Sequence, residues 1–339
     1  MAFERIGTII LPTGENALLS AVIDQPNGFA YFGDNSNPAK LIKIQLSDFT
    51  RVGRIIFAAG EYQATSAVID QPNGLAYFGD NYFPGKITKV QLSDFTRVGV
   101  LTLELWERWL AAAVIDQPNG FAYFGSATDP GRIIQVRLSD FTRVGVLTLE
   151  VGENQLAWAV IDQPNGFAYF GTDQSPGKII KIRLSDFTRV GALTLEAGED
   201  RHWTGVIDLP NGFAYFGTRT SPGKIIKIRL SDFTRVGALT LEAGEDDLMS
   251  AVIDQPSGFA YFGTNTAPGK VVQIQLSDFT RVGSITLASS ENALVSAVID
   301  QPSGFAYFGT NTVTGRVIKI GLAVAIPSTP QYLMIMGLG

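Results

Sequence analysis

The chain has no cysteine and a single histidine, His202, among its 339 residues. The first absence removes disulfides, thiolate nucleophiles, iron–sulfur clusters and thiolate zinc sites. The second leaves no two-histidine metal motif and only one copy of the usual general base. Basic residues are in the minority, 26 Lys and Arg against 32 Asp and Glu with a pI near 5.0, so a nucleic-acid footprint is missing. Charge of either sign is scarce at 17%, against about 25% in an average soluble domain. Long apolar runs are missing too: residues 332–339 make a run of eight, where a bilayer span needs about 20. The start, MAFERIGTIILP, carries Glu4 and Arg5 and does not read as a signal peptide. No stretch shows a helical apolar period.

What is present is a repeat. A Val-Ile-Asp triplet followed by a Pro-Asn-Gly or Pro-Ser-Gly turn recurs with its aspartate at Asp24, Asp70, Asp116, Asp162, Asp208, Asp254 and Asp300, always 46 residues apart. Seven such units occupy all but 17 residues, which leaves no room for a second domain. Within a unit, four short runs rich in Val, Ile, Phe, Tyr and Thr alternate with Gly, Pro, Asn, Asp and Ser clusters, the pattern of four strands joined by tight turns. The run FAYFG is apolar on both faces, whereas Lys181 and Arg183 interrupt the third run. Sheets that become more polar outward, seven times over, predict an all-β, seven-bladed β-propeller over residues 1–322.

The seventh unit lacks its fourth strand, because AVAIPST stands where SDFTRVG is expected. Phe3, Arg5, Gly7, Ile9 and Leu11 align with Phe49, Arg51, Gly53, Ile55 and Phe57, so residues 3–11 are predicted to complete the last blade. Residues 323–339, with Pro327 and Pro330, read as a C-terminal tail or linker.

The phrase AVIDQPNGFAYFGT (159–172) followed by KIIKIRLSDFTRVGALTLEAG (178–198) resembles the YVTN-type propeller repeat of microbial surface-layer and secreted proteins. That resemblance covers residues 3–322 and implies the propeller fold and an extracellular or cell-surface location. The sequence departs from the family in having Phe-Gly where Val-Thr-Asn usually falls. Related folds include lactonases and a streptogramin lyase.

Comparison of the seven units separates two faces. The turns DQPNG and LSDFTR hardly vary, while two loops do: fourth strand to next first strand (ENALLS, EYQATS, ERWLAA, ENQLAW, EDRHWT, EDDLMS, ENALVS) and second to third strand (DNSNPAK through TNTVTGR). Alternate turns of an up-and-down blade lie on opposite faces, so the variation gathers on one face. The unusual residues fall there: Tyr62, Tyr82, Phe83, Trp106, Arg108, Trp109, Trp158, Arg201, His202 and Trp203 are the candidate ligand-binding set. The alternative is that these aromatics pack between blades. His202 shares its register with Leu18, Leu110, Leu156, Leu248 and Leu294, which points to the core.

Two charged rings complete the pattern. Glu15, Glu61, Glu107, Glu153, Glu199, Glu245 and Glu291 are matched by Lys40, Lys86, Arg132, Lys178, Lys224, Lys270 and Arg316, and a salt-bridge lattice between the rings is the expectation; a calcium-type cation held by the carboxylates is the alternative. The Asp24 ring is assigned to turn capping and an Asp–Arg network with Arg51-type residues. His202 with Arg201 and Glu199 falls one residue short of a triad, and near-identical blades do not bring different roles together. The sequence therefore predicts a non-enzymatic recognition or scaffold propeller with no cofactor and no metal. Its partner is a protein or glycan on the variable face, the alternatives being a surface-layer element without soluble ligand and a lactonase- or lyase-type enzyme.

Overall fold

The computed structural model describes residues 2–322, so the tail or linker assigned to 323–339 lies outside the described residues. Twenty-eight strands form seven four-stranded antiparallel sheets, and a 3-10 turn at Gln71–Asn73 is the single helical element among the described residues. In the first blade, β2 (Leu18–Asp24), β3 (Phe29–Asp34), β4 (Lys40–Gln45) and β5 (Thr50–Ile56) lie side by side in chain order. The innermost strands pack against one another all round the ring, and β26 (Leu294–Asp300) of the seventh blade meets β2.

The ring closes as its sequence alignment predicts. β1 (Glu4–Ile10) pairs antiparallel with β28 (Arg316–Gly321), from Glu4 opposite Gly321 to Ile10 opposite Arg316. Leu11 N–H donates to the Gly315 carbonyl at 3.0 Å. Phe3 packs at a tilt against Tyr261 at 5.3 Å, the position that Phe49 takes against Tyr307 at 5.7 Å.

The strand sequences follow from where each strand sits. β2 alternates buried and half-buried residues, Val22 packing toward the second blade and Ala21 and Ile23 against the cluster shared with the seventh. β3 carries FAYFGD and is buried almost throughout, as a strand covered on both faces must be. β5 alternates exposed and half-buried residues at the perimeter. A register shift places Val52 in a bulge between Arg51 and Gly53, which blunts the open edge of the sheet.

The core is not central but lies between blades. One cluster joins Leu18, Phe32, Ile42 and Ile44 of the first blade to Val298, Tyr307 and Val317 of the seventh. Blades approach so closely that a Cβ at Gly33 would stand 2.5 Å from Ala64 Cβ of the next blade. Phe95 crosses in the other direction, from the turn of the second blade onto Tyr31 of the first at 5.6 Å. Lys43 Nζ lies over Phe29 at 3.9 Å, a cation–π contact that Lys181, Lys227 and Lys319 repeat.

The glutamate ring is part of this interface, which corrects the expected lattice with the Lys40-type bases. Each glutamate is buried and pairs with an arginine of the outer strand: Arg51 with Glu15, Arg97 with Glu61, Arg143 with Glu107, and so on to Arg5 with Glu291. The arginine of one blade thus grips the loop arriving from the previous one, and the Ala58 N–H of that previous blade also donates to Glu61 at 3.2 Å. In the first blade Pro12 offers no such N–H, and Arg54 donates to Glu15 at 3.2 Å instead. Burial alone raises the Glu199 carboxyl, but Arg235 and the Glu196 N–H outweigh it and hold the group below the ordinary value. The lysines serve the loop backbone: Lys86 Nζ donates to the Gly60 carbonyl at 2.7 Å.

The Asp–Arg network is corrected for the same reason, since the arginines are committed to the glutamates. Asp24 accepts from Asn27 Nδ2 at 2.8 Å and caps its own turn; Asp70, Asp116, Asp162 and Asp208 do likewise with Asn73, Asn119, Asn165 and Asn211.

Candidate functional site at the mouth of the channel

Both variable loop classes meet on one face. The Gln63 N–H, in the loop entering the second blade, donates to the Ser36 carbonyl in the second-to-third-strand loop of the first blade at 3.1 Å. Together the loops frame a cavity of about 640 Å³ at the mouth of the channel, whose wall is made by inner-strand residues such as Ala21, Ala67 and Ala113.

The ten candidate residues divide into three groups. Trp109, Trp158 and Trp203 line the cavity on three successive blades. Tyr62, Tyr82, Phe83, Trp106 and Arg108 form a rim patch beside it: Tyr62 stacks on Tyr82 at 4.0 Å, and Phe83 meets Trp106 edge-on at 6.4 Å. The Arg108 guanidinium lies over Trp109 at 4.2 Å and Phe83 at 5.4 Å, so Trp109 connects rim and cavity. Trp106 is 60% exposed and Leu105 beside it 59%. Arg201 also stays at the surface, with Nε 2.7 Å from Asp173.

His202 stands apart and is a correction. It opens β18 (His202–Asp208), is fully buried and meets Phe216 edge-on at 6.4 Å, in the place that leucine takes in most blades. Among the described residues, neither ring nitrogen has a hydrogen-bond partner. Burial pulls its pKa down to about 4, against the opposing fields of Glu199, Asp200 and Asp173. The side chain is a neutral core residue that does not reach the cavity.

Trp158 lies in β14 (Leu156–Asp162), at a position held elsewhere by Ser20, Ser66, Ala112, Thr204, Ser250 and Ser296. Its indole wedges toward the next blade, edge-on to Phe216 at 4.9 Å. The alanine seen at one position of the other six blades is Gly205 here, where a Cβ would lie 2.8 Å from the Trp158 ring. The indole is therefore both wedge and cavity wall.

Sequence reading missed the polar rim. The first residue after each second strand lines the cavity: Asn35, Asn81, Ala127, Asp173, Arg219, Asn265 and Asn311. Gln63 and Gln155 add further amides. Asn81 Nδ2 donates to Gln63 Oε1 at 2.8 Å, and Asn265 Nδ2 to Asp247 at 2.6 Å. Arg219 pairs with Asp247 at 2.6 Å while its guanidinium lies 4.7 Å over the Trp203 ring. The available signal was variation at one loop position, obscured because amides attract less notice than tryptophans.

No protein-family model matches the chain, and no curated protein does. Among solved structures, the one titled "Structure of U3-55K" superposes with a TM-score of 0.74 at 10% identity, covering 93% of this chain and 98% of that one. That titled "Crystal structure of RRP9 WD40 repeats" gives 0.72 at 9% identity, covering 92% and 97%. At such identities the likeness defines the fold alone: a seven-bladed β-propeller.

Proposed function

We propose that the protein is a non-enzymatic recognition propeller that docks a protein partner on its variable loop face. One observation carries this reading: the exposed cluster of Phe83, Trp106 and Trp109 around the Arg108 guanidinium, with Leu105 alongside. Trp, Tyr and Arg dominate binding hot spots because a rigid side chain buries much area at little entropic cost. The other loops mostly place Gly where Trp106 stands, at Gly14, Gly60, Gly152, Gly198 and Gly244, so Trp106 is a local addition at a position that otherwise carries almost no side chain. The WD40-like neighbours support a scaffold that presents loops to proteins. Burial of the lone histidine supports a role without acid–base catalysis. The likeness of the repeat to YVTN-type surface and secreted propellers supports an extracellular or cell-surface setting.

The test compares wild type with the Phe83→Ala/Trp106→Ala variant. Both side chains are exposed, so melting should be unchanged. A partner captured by the wild type should bind the variant at least about 30-fold more weakly, the loss of one hot spot of roughly 2 kcal/mol. A partner that binds the folded variant with undiminished affinity overturns the assignment to this patch.

A further inference from the structure

We propose that the cavity at the channel mouth is a carbohydrate site that takes a short neutral oligosaccharide. The proposal deepens the loop-face recognition reading and rests on it, but it concerns the cavity and not the rim patch.

The cavity, at about 640 Å³, falls within the roughly 300–1,000 Å³ of small-ligand pockets. Its lining is divided in chemistry. Trp109, Trp158 and Trp203 line it from the third to fifth blades, while the first, sixth and seventh blades place Leu19, Met249 and Val295 at the repeat position of Trp203. A pyranose ring has a flat face of C–H groups and a periphery of hydroxyls. Indoles bury the first kind of surface and leave the second unsatisfied.

The amide rim supplies the second requirement. Asn35, Asn81, Asn265 and Asn311, with Gln63 and Gln155, ring the opening. Every amide carries both donor and acceptor, as every hydroxyl does, so the two classes pair in either direction. The Asn81–Gln63 bond engages Asn81 Nδ2 and Gln63 Oε1, and the Asn81 carbonyl and the Gln63 amino group stand outside it. A purely apolar ligand would strand these groups on burial.

Charge selects neutrality. The two charged residues of the rim are already paired, Asp173 with Arg201 at 2.7 Å and Arg219 with Asp247 at 2.6 Å. An ionic ligand therefore meets no unpaired counter-charge at this rim, whereas a neutral saccharide needs none.

The experiment titrates the full chain, by calorimetry and tryptophan fluorescence, with neutral gluco-, manno-, galacto- and N-acetylglucosamine oligosaccharides. Uronic-acid and amino-sugar oligomers serve as charged controls. The expected result is saturable binding of at least one neutral oligosaccharide with an indole emission shift. Trp109→Ala, at an indole 39% exposed, should weaken it about tenfold or more, as should Asn311→Leu, with melting unchanged. Phe83→Ala/Trp106→Ala should bind the saccharide as wild type does. Binding of charged oligomers alone, saccharide affinity indifferent to Trp109→Ala and Asn311→Leu, or no neutral binding by folded wild type up to about 10 mM, weaker than any specific site of interest, each overturns the proposal. Those failures leave the protein-docking reading standing, because that reading is decided by Phe83 and Trp106.

Discussion

A buried imidazole with both nitrogens unpartnered costs stability even when neutral, and the cost grows in acid. His202 titrates near pH 4 in the folded protein, against 6.5 as its ordinary value. Between those values the unfolded chain binds the proton and the folded one does not, so stability falls as pH drops from about 6.5 to 4. The linked loss levels off at roughly 3 kcal/mol, at about 1.36 kcal/mol per pH unit. His202→Leu installs the residue that Leu110 or Leu156 provides elsewhere in the ring. The variant should melt higher than wild type at pH 7, and the gap should widen at pH 5; a gap independent of pH contradicts the assigned burial. The register with leucines made this placement legible in the sequence. The partners of the glutamates were not legible, because Glu15 and Arg51 lie 36 residues apart and meet only when strand four folds beside the incoming loop.

At the scale of the strand, the blades differ through compensating pairs that single positions do not reveal. Trp158 and Gly205 are one such pair, on the inner strands of the fourth and fifth blades. Ala39 and Ala64 are another: Ala64 stands where most blades have leucine, and Ala39 where they have glycine, and both are buried in one cluster. The repeat arithmetic exposed each substitution, but the packing between blades shows why they travel together. Gly205→Ala should destabilise by about 1–3 kcal/mol, the usual cost of overpacking. A Cβ there also meets the Tyr215 carbonyl at 2.6 Å, so it would crowd the backbone as well as the indole. Trp158→Ser in the same chain should recover most of the loss by allowing the geometry of the other blades. The check is a double-mutant cycle in urea: simple additivity of the two changes contradicts the wedge.

For the whole molecule, strand count, blade count and the closing strand were legible because periodicity of 46 residues reports architecture directly. The cavity rim was not, since its residues come from seven loops that only the closed ring assembles. Closure itself predicts a length effect. Removing residues 1–11 uncovers β28 and discards Leu11, which is 2% exposed, together with Ile9 and the Phe3–Tyr261 contact. At about 1.5–3 kcal/mol per buried large apolar side chain, the truncation should lose at least about 3 kcal/mol; unchanged melting contradicts the closure.

The antiparallel pairing of β1 with β28 has a mechanical consequence. Glu4 and Gly321 face each other at the same end of the pair. A load applied between these two points pulls across the ladder and not along it. Hydrogen bonds then carry the force one at a time, peeling from Glu4 toward Ile10, instead of sharing it as they do in shear. A ring gripped by both of these ends therefore opens at its seventh blade under modest tension, while the six blades formed from continuous chain remain folded.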